Sequence, residues 1–144
     1  MSCKKVIIRR KRIKLLIKYG KHCGEYIGYH ENGGIKYKCY CINNKTNGEY
    51  KWYDENGNIK LNCYVINGKH DGEYNYYQNG LITSSSYFIR DKKNGPNIDY
   101  YQNGNIDKKY YYIDDIFNGE YIEYDKTGNM RYKCYCINNA HIII

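Results

Sequence analysis

The chain has 144 residues, a formal net charge of +8, 21 Tyr, seven Cys and a single Pro. Its length suits one domain, and no run approaches the ~20 consecutive apolar residues that a membrane-spanning helix requires. The apolar Val6-Ile7-Ile8 is cut off by Arg9-Arg10-Lys11-Arg12, too short for the core of a secretion signal, so the expected setting is intracellular and cytoplasmic, free or peripheral to a membrane.

Residues 1–12 read as a basic amino-terminal arm. The first 18 residues hold Lys4, Lys5, Arg9, Arg10, Lys11, Arg12, Lys14 and Lys18 and no acid, whereas the remainder carries 15 basic and 15 acidic residues. All the excess charge therefore sits at this end. Three roles fit such an arm. It can be a solvated guard against stray pairing at a sheet edge. It can contact anionic phospholipid through the residues from Lys4 to Lys14. A nucleic-acid patch ranks last.

Beyond the arm, Ile13, Leu15 and Ile17 alternate with polar residues, so residues 13–18 are expected to be the second strand of a half repeat, 13–23. Full repeats then begin at Gly24, Gly48, Gly72, Gly95 and Gly119, in steps of 24, 24, 23 and 24 residues. A period this regular marks a repeat architecture. A Tyr follows each leading Gly by five residues, at Tyr29, Tyr53, Tyr77, Tyr100 and Tyr124. The first half of each unit closes on Asn32-Gly33, Asn56-Gly57, Asn79-Gly80, Asn103-Gly104 or Thr127-Gly128. Asn-Gly favours tight hairpin turns because both residues tolerate positive φ.

Each unit thus reads as a β-hairpin: a short Tyr-rich strand, a turn, then a longer strand. The longer strand alternates with period two. Ile35, Tyr37, Cys39 and Cys41 share one face, as do Ile59, Leu61, Cys63 and Val65, and Met130, Tyr132, Cys134 and Cys136. The opposite face is polar at one end (Lys36, Lys38) and aromatic or aliphatic at the other (Tyr40, Ile42). Repeat three carries Ser84-Ser85-Ser86 and is one residue short before its turn, and is expected to be the loosest hairpin. Ile137-Asn138-Asn139 matches Ile42-Asn43-Asn44, leaving residues 140–144 as a stub. The predicted fold is all-β, an elongated single-layer antiparallel sheet of tandem β-hairpins over residues 13–144, a solenoid-like meander of about eleven strands and ~50 Å. A Tyr-rich composition suits a thin sheet, because the ring covers apolar surface while the hydroxyl stays wet; it also fits the codon bias of an AT-rich genome.

The cysteines read as small apolar residues packed between Tyr rings. The doublets Cys39-Tyr40-Cys41 and Cys134-Tyr135-Cys136 lie four repeats apart, so one metal ion cannot join them. Cys39 and Cys63 are expected to be separated by a strand, too far for a disulfide. No metal site is expected within one chain; an ion shared between two chains escapes this argument. Nor does any catalytic constellation emerge. Ser occurs only at Ser2 and Ser84-Ser85-Ser86, His22 and His70 recur as turn residues, and Glu25, Glu49, Glu73 and Glu120 recur after the leading Gly. Repeated surface acids lack the unlike environments of an acid–base pair. The expectation is a protein with no enzymatic activity and no cofactor.

The unit Gly48-Glu49-Tyr50-Lys51-Trp52-Tyr53, Asn56-Gly57, Tyr64-Val65-Ile66-Asn67-Gly68-Lys69, repeated in register from residue 19 to about 139, resembles the variant class of MORN repeats. That resemblance implies a protein-binding or scaffolding module, in some members one that associates with phospholipid membranes. Bacterial arrays of this class are often labelled antitoxins, and large DNA viruses carry similar ones. The resemblance supplies no catalytic residues, and this chain departs from it at Pro96-Asn97 and Ser84-Ser85-Ser86. The favoured reading is a non-enzymatic scaffold that binds a protein partner through Tyr26, Tyr50, Trp52, Tyr74, Tyr76 and Tyr121, since exposed Tyr and Trp rows anchor interfaces. The same rings can instead serve only to hold the sheet together. The alternatives are docking on an anionic membrane through the basic arm, an antitoxin-like neutralising partner, and a homo-oligomer formed through open sheet edges.

Overall fold

The computed structural model describes residues 17–18 and 21–142. The basic arm with Lys4, Lys5, Arg9, Arg10, Lys11, Arg12 and Lys14 lies outside these, as do residues 13–16 of the expected leading strand. Ile17–Lys18 (β1) pairs antiparallel with Lys21–His22 (β2) as a small separate ladder.

Every other strand among the described residues belongs to one open antiparallel sheet of 14 strands. Short strands begin at the leading glycines: Gly24–Tyr29 (β3), Gly48–Tyr53 (β6), Gly95–Tyr100 (β11) and Gly119–Tyr124 (β14). Long strands follow as Ile35–Ile42 (β4), Ile59–Ile66 (β7), Leu81–Ile89 (β9), Ile106–Ile113 (β12) and Met130–Ile137 (β15). After each long strand the chain turns back on itself for two residues, Lys45–Thr46 (β5), Lys92–Lys93 (β10) and Ile116–Phe117 (β13), before the next short strand. In repeat three this return segment and the short strand are continuous, as Lys69–Gln78 (β8). Ala140–Ile142 (β16), expected to be a stub, makes the same return and pairs with β15. The main path is a meander in strict chain order, β3-β4-β6-β7-β8-β9-β11-β12-β14-β15-β16. The path has the expected eleven strands, but the eleventh is β16 at the carboxy-terminal end, whereas, among the described residues, the expected leading strand contributes only Ile17–Lys18 to the separate β1–β2 ladder.

Two kinds of corner build this path. Along one edge, two-residue turns put both residues at positive φ: Asn43-Asn44, Asn67-Gly68, Arg90-Asp91, Asp114-Asp115 and Asn138-Asn139. That twist matches the twist of the flanking strands. Along the other edge, five-residue loops 30–34, 54–58, 101–105 and 125–129 join short to long strands. Here Gly33, Gly57, Gly104 and Gly128 alone take positive φ. The expectation that both residues of each Asn-Gly do so therefore holds at Asn67-Gly68 and Asn79-Gly80 and fails at the three Asn-Gly pairs inside the five-residue loops. In those loops a side chain does the closing instead: Asp54 Oδ1 accepts from the backbone amides of Asn56 (3.0 Å) and Asn58 (2.8 Å). Repeat three, expected to be the loosest, lacks the residue needed for such a loop. It closes on Asn79-Gly80 and pairs from Gly72–Phe88 through to Gln78–Leu81.

Successive corners are hooked together. The amides of Gly68, Asp91, Asp115 and Asn139 donate to the carbonyls of Thr46, His70, Lys93 and Phe117 in the preceding unit, at 2.8–2.9 Å. On the loop edge, Asn32 Nδ2 donates to the Glu55 carbonyl (2.9 Å) and Asn103 Nδ2 to that of Lys126 (2.7 Å). With only one layer, few side chains among the described residues are buried: Cys39, Cys63, Val65, Ile122, Cys134 and Cys136, together with Ser86 and Asn97, of which Cys136 and Asn97 are the most completely enclosed.

Candidate interaction surfaces

Register assigns every side chain to one of two faces. Cross-strand pairs Tyr26–Cys39, Tyr50–Cys63 and Tyr121–Cys134 lie on one of them. Cys63 also faces Tyr74, so it sits between two Tyr-bearing strands, as expected for a small apolar residue packed among rings. A Cys beside each Tyr leaves room for the ring to lie down on the sheet. Gly28 does the same more completely: it is paired with Tyr37, and a Cβ there would meet that ring at 2.2 Å.

The rings on this face form three groups. Tyr37 stands between Tyr26 and Tyr50, with centroids 5.6 and 6.2 Å away. Tyr74 packs against His70 (5.0 Å), Tyr76 (5.2 Å) and Phe88 (5.1 Å). Phe117 gathers Tyr110 (5.8 Å), Tyr112 (5.6 Å) and Tyr121 (5.8 Å). Between the second and third groups the pattern turns polar. Ser86 and Asn97 stand where other units carry Cys and Tyr, and the Ser86 hydroxyl donates to Asn97 Oδ1 at 2.6 Å, with Asn97 only 1% exposed. Burial, with a hydrogen bond and charge from Tyr76, pushes the Tyr74 hydroxyl pKa up. Burial does the same to Tyr110, helped by the Asp99 carboxylate. The Cys63 thiol is raised to about 11 by burial alone, and Cys39 to about 11 by burial and then by the neighbouring Cys41. These groups stay protonated at neutral pH.

The residues that sequence reasoning selected for a partner all lie on this face. Tyr26, Tyr50, Tyr74 and Tyr121 are half-buried and engaged with neighbouring rings. Trp52 (40%) and Tyr76 (47%) remain open to solvent.

The opposite face carries a more regular array. Tyr40, Tyr64, Tyr87, Tyr111 and Tyr135 occupy one position of the repeat and are 41–50% exposed. Two residues on, Ile42, Ile66, Ile89, Ile113 and Ile137 are 44–47% exposed. Because each unit contributes two strands, both rows advance by ~9.6 Å per repeat. Gly72, Gly95 and Gly119 form the floor between successive Tyr side chains. A Cβ on Gly72 would lie 3.1 Å from that of Tyr64, and one on Gly119 would lie 3.1 Å from that of Tyr111. A shallow groove consequently opens between Tyr111 and Tyr135 over Gly119, with Pro96 and Ile113 on its walls. Beside the rows runs a stripe of ion pairs, Glu25–Lys38 at 2.7 Å, Glu49–Lys51 at 2.9 Å and Glu120–Lys133. Such exposed pairs add little stability but give the surface a charged border.

The recurrence of Tyr-x-Ile at Tyr40, Tyr64 and Tyr135 was visible in the sequence, yet the choice between faces was not, because both strands of every hairpin carry Tyr. Among the described residues no helix is long and apolar enough to cross a membrane.

No curated protein sequence matches the chain. The MORN repeat variant family matches four tandem segments, residues 23–43, 46–67, 93–114 and 117–138, more than half of the chain. The gap between the second and third segments, residues 68–92, holds repeat three, the unit with the contracted turn and the Ser run. With this periodicity, hairpin geometry and family match together, the chain belongs to the MORN repeat variant family, a non-catalytic class of repeat modules for contacts with proteins and membranes.

Proposed function

We propose that the protein is a non-enzymatic scaffold that holds a protein partner against its Tyr–Ile face. The observation that carries this reading is the pair of parallel rows, ten large side chains exposed at a constant register across five units. Isolated exposed apolar residues are ordinary, but a contiguous set marks a contact surface. Tyr is the residue best suited to such a role, since it offers a rigid, amphipathic contact at low entropic cost. The matching partner presents apolar side chains along an extended surface, with groups of either charge beside them to meet the Glu–Lys stripe. Trp52 and Tyr76, the open members of the ring face, offer a second and smaller contact.

The test is affinity capture from the native cell with three baits. One is the full chain; one carries Ile66→Glu, Ile89→Glu and Ile113→Glu; one carries Trp52→Ala and Tyr76→Ala. All of these positions are exposed, so the fold should tolerate the changes. Partners lost only from the triple Glu bait are the expected result. Loss only from the Trp52/Tyr76 bait would move the site to the ring face, and loss from neither would end the proposal.

A second reading rests on charge. Eight Lys or Arg and no acid in residues 1–18 favour attraction to an anionic leaflet. Flotation of the full chain with phosphatidylserine vesicles, compared with a chain beginning at Ile13, tests it. Salt-insensitive binding, or none, counts against it.

A further inference from the structure

The last hairpin brings together three side chains that no scaffold role requires. Cys134 and Cys136 are two residues apart on β15, so both thiols point to the ring face, and both are buried. The two-residue turn at Asn138-Asn139 returns β16 so that His141 stands directly across from Cys136. The separations are 4.0 Å between Cys134 Sγ and Cys136 Sγ and 3.5 Å between Cys134 Sγ and His141 Nδ1, with all three ligand atoms within 4.8 Å of one another. A tetrahedral zinc ion with Zn–S of about 2.3 Å and Zn–N of about 2.0–2.1 Å has S–S edges of about 3.8 Å and S–N edges of about 3.6 Å. The two edges at Cys134 Sγ, 4.0 and 3.5 Å, lie close to those values, and the third, from Cys136 Sγ to His141 Nδ1, is within 4.8 Å, a gap that a small rotation of the exposed imidazole closes. The imidazole is also held from behind, with its ring 5.8 Å from both Phe117 and Tyr121. Because His141 is exposed, an ion on these three atoms keeps one side open to solvent.

The repeat provides its own comparison. The same three positions are Cys39, Cys41 and Thr46 in the first unit, and Cys63, Val65 and His70 in the second. They are Ser86, Phe88 and Lys93 in the third, and Tyr110, Tyr112 and Phe117 in the fourth. Only the final hairpin combines two thiols with an imidazole. The long separation between the two cysteine doublets, with seven strands between β4 and β15, has no bearing on this site, which lies within one hairpin.

We propose that Cys134, Cys136 and His141 form a zinc site with three protein ligands and a fourth position open to water or an exogenous ligand. Binding replaces the two thiol protons, which leave to solvent, with a single divalent ion. Two thiolates and an imidazole suit Zn²⁺ over harder cations such as Mg²⁺ or Ca²⁺.

The experiment titrates the full-length, reduced protein with Zn²⁺ against a chromophoric chelator, and separately with Co²⁺ as a spectroscopic stand-in. One equivalent of Zn²⁺ per chain is expected, with thiolate-to-cobalt charge-transfer bands and the visible bands of a four-coordinate ion. His141→Ala, an exposed substitution whose circular dichroism should match the parent, should lose both signals. Cys41→Ser should retain both. Thr46→His, which sets an imidazole opposite the first doublet, should raise the stoichiometry from one to two. Absence of competitive binding, persistence in His141→Ala, or half an equivalent per chain with dimerisation on zinc would each overturn the proposal. So would a stoichiometry that stays at one in Thr46→His.

Discussion

Replacing Gly72 by Ala tests the geometry on which the sheet depends. Gly72 has φ +125, and a Cβ there would stand 3.1 Å from the Cβ of Tyr64. Two costs therefore act at once. An L-residue held at such a φ costs about 1–3 kcal/mol, and forcing a methyl group against a side chain that cannot withdraw its own Cβ costs about 1–3 kcal/mol more. Gly72→Ala should lose about 2–6 kcal/mol in sum, a large share of a typical domain stability of about 5–15 kcal/mol. Gly80, in the same unit, separates the two contributions. Its φ is +77 and no atom lies within 4 Å of its would-be Cβ, so Gly80→Ala should cost only the left-handed penalty of about 1–2 kcal/mol. Urea unfolding followed by far-ultraviolet circular dichroism gives both values. Native-state hydrogen exchange across β7 and β8 reports whether the loss stays local, as nearest-neighbour coupling in a repeat array predicts. Equal costs for the two variants, or a neutral Gly72→Ala, would refute the claim that Gly72 is required by contact with Tyr64.

Three further outcomes follow from the same structure. Ser86→Ala strips the buried Asn97 Oδ1 of its 2.6 Å donor and should cost about 1–3 kcal/mol in the same urea assay; an unchanged midpoint would contradict the pairing. Burial raises the Cys39 and Cys63 thiols from 9.0 to about 11, so native protein should resist alkylation of both near pH 8. Their stabilising contribution is whole below pH 9.0 and declines as pH rises through about 11, which alkaline unfolding with mass-spectrometric labelling would detect. Asp125 is held down to about 2, first by the Thr127 hydroxyl and then by the Asn129 amide. Its folded value lies below the ordinary 3.8, so the loop 125–129 should keep its order above pH 3.8 and lose it as pH falls toward 2. A carboxyl NMR titration should show Thr127→Val moving this group upward, and no movement would rule out the hydroxyl as the leading cause.

The architecture was legible because its signals are local and repeated. Glycines at fixed intervals, Asn-rich corners and period-two strands such as Cys39-Tyr40-Cys41-Ile42 each point to the same hairpin. Loop conformation was less so: Asn79-Gly80 and Asn56-Gly57 share a dipeptide, yet the number of residues before the turn decides which of two corner types forms. Interaction residues were harder still. Tyr50 and Tyr64 are both Tyr on adjacent strands, and only register shows that the first lies against Cys63 while the second stands in solvent. His141 illustrates a different gap. The match of Asn138-Asn139 to Asn43-Asn44 already implied that residue 141 should occupy the place of Thr46, opposite a cysteine doublet, but a terminal segment read as a stub hides that neighbour.

Because the two-residue corners at Asn67-Gly68, Arg90-Asp91, Asp114-Asp115 and Asn138-Asn139 are each bonded to the unit behind, the array has a natural grain. Excising or duplicating a whole 24-residue module would join ends that already fit, so related chains can differ in length by integral modules and keep their surface pattern. Losing one residue within a strand would instead swap solvent-facing Ile for sheet-facing neighbours all the way to the next turn. Growth by modules and intolerance of frame slips inside them are two sides of the same geometric lock.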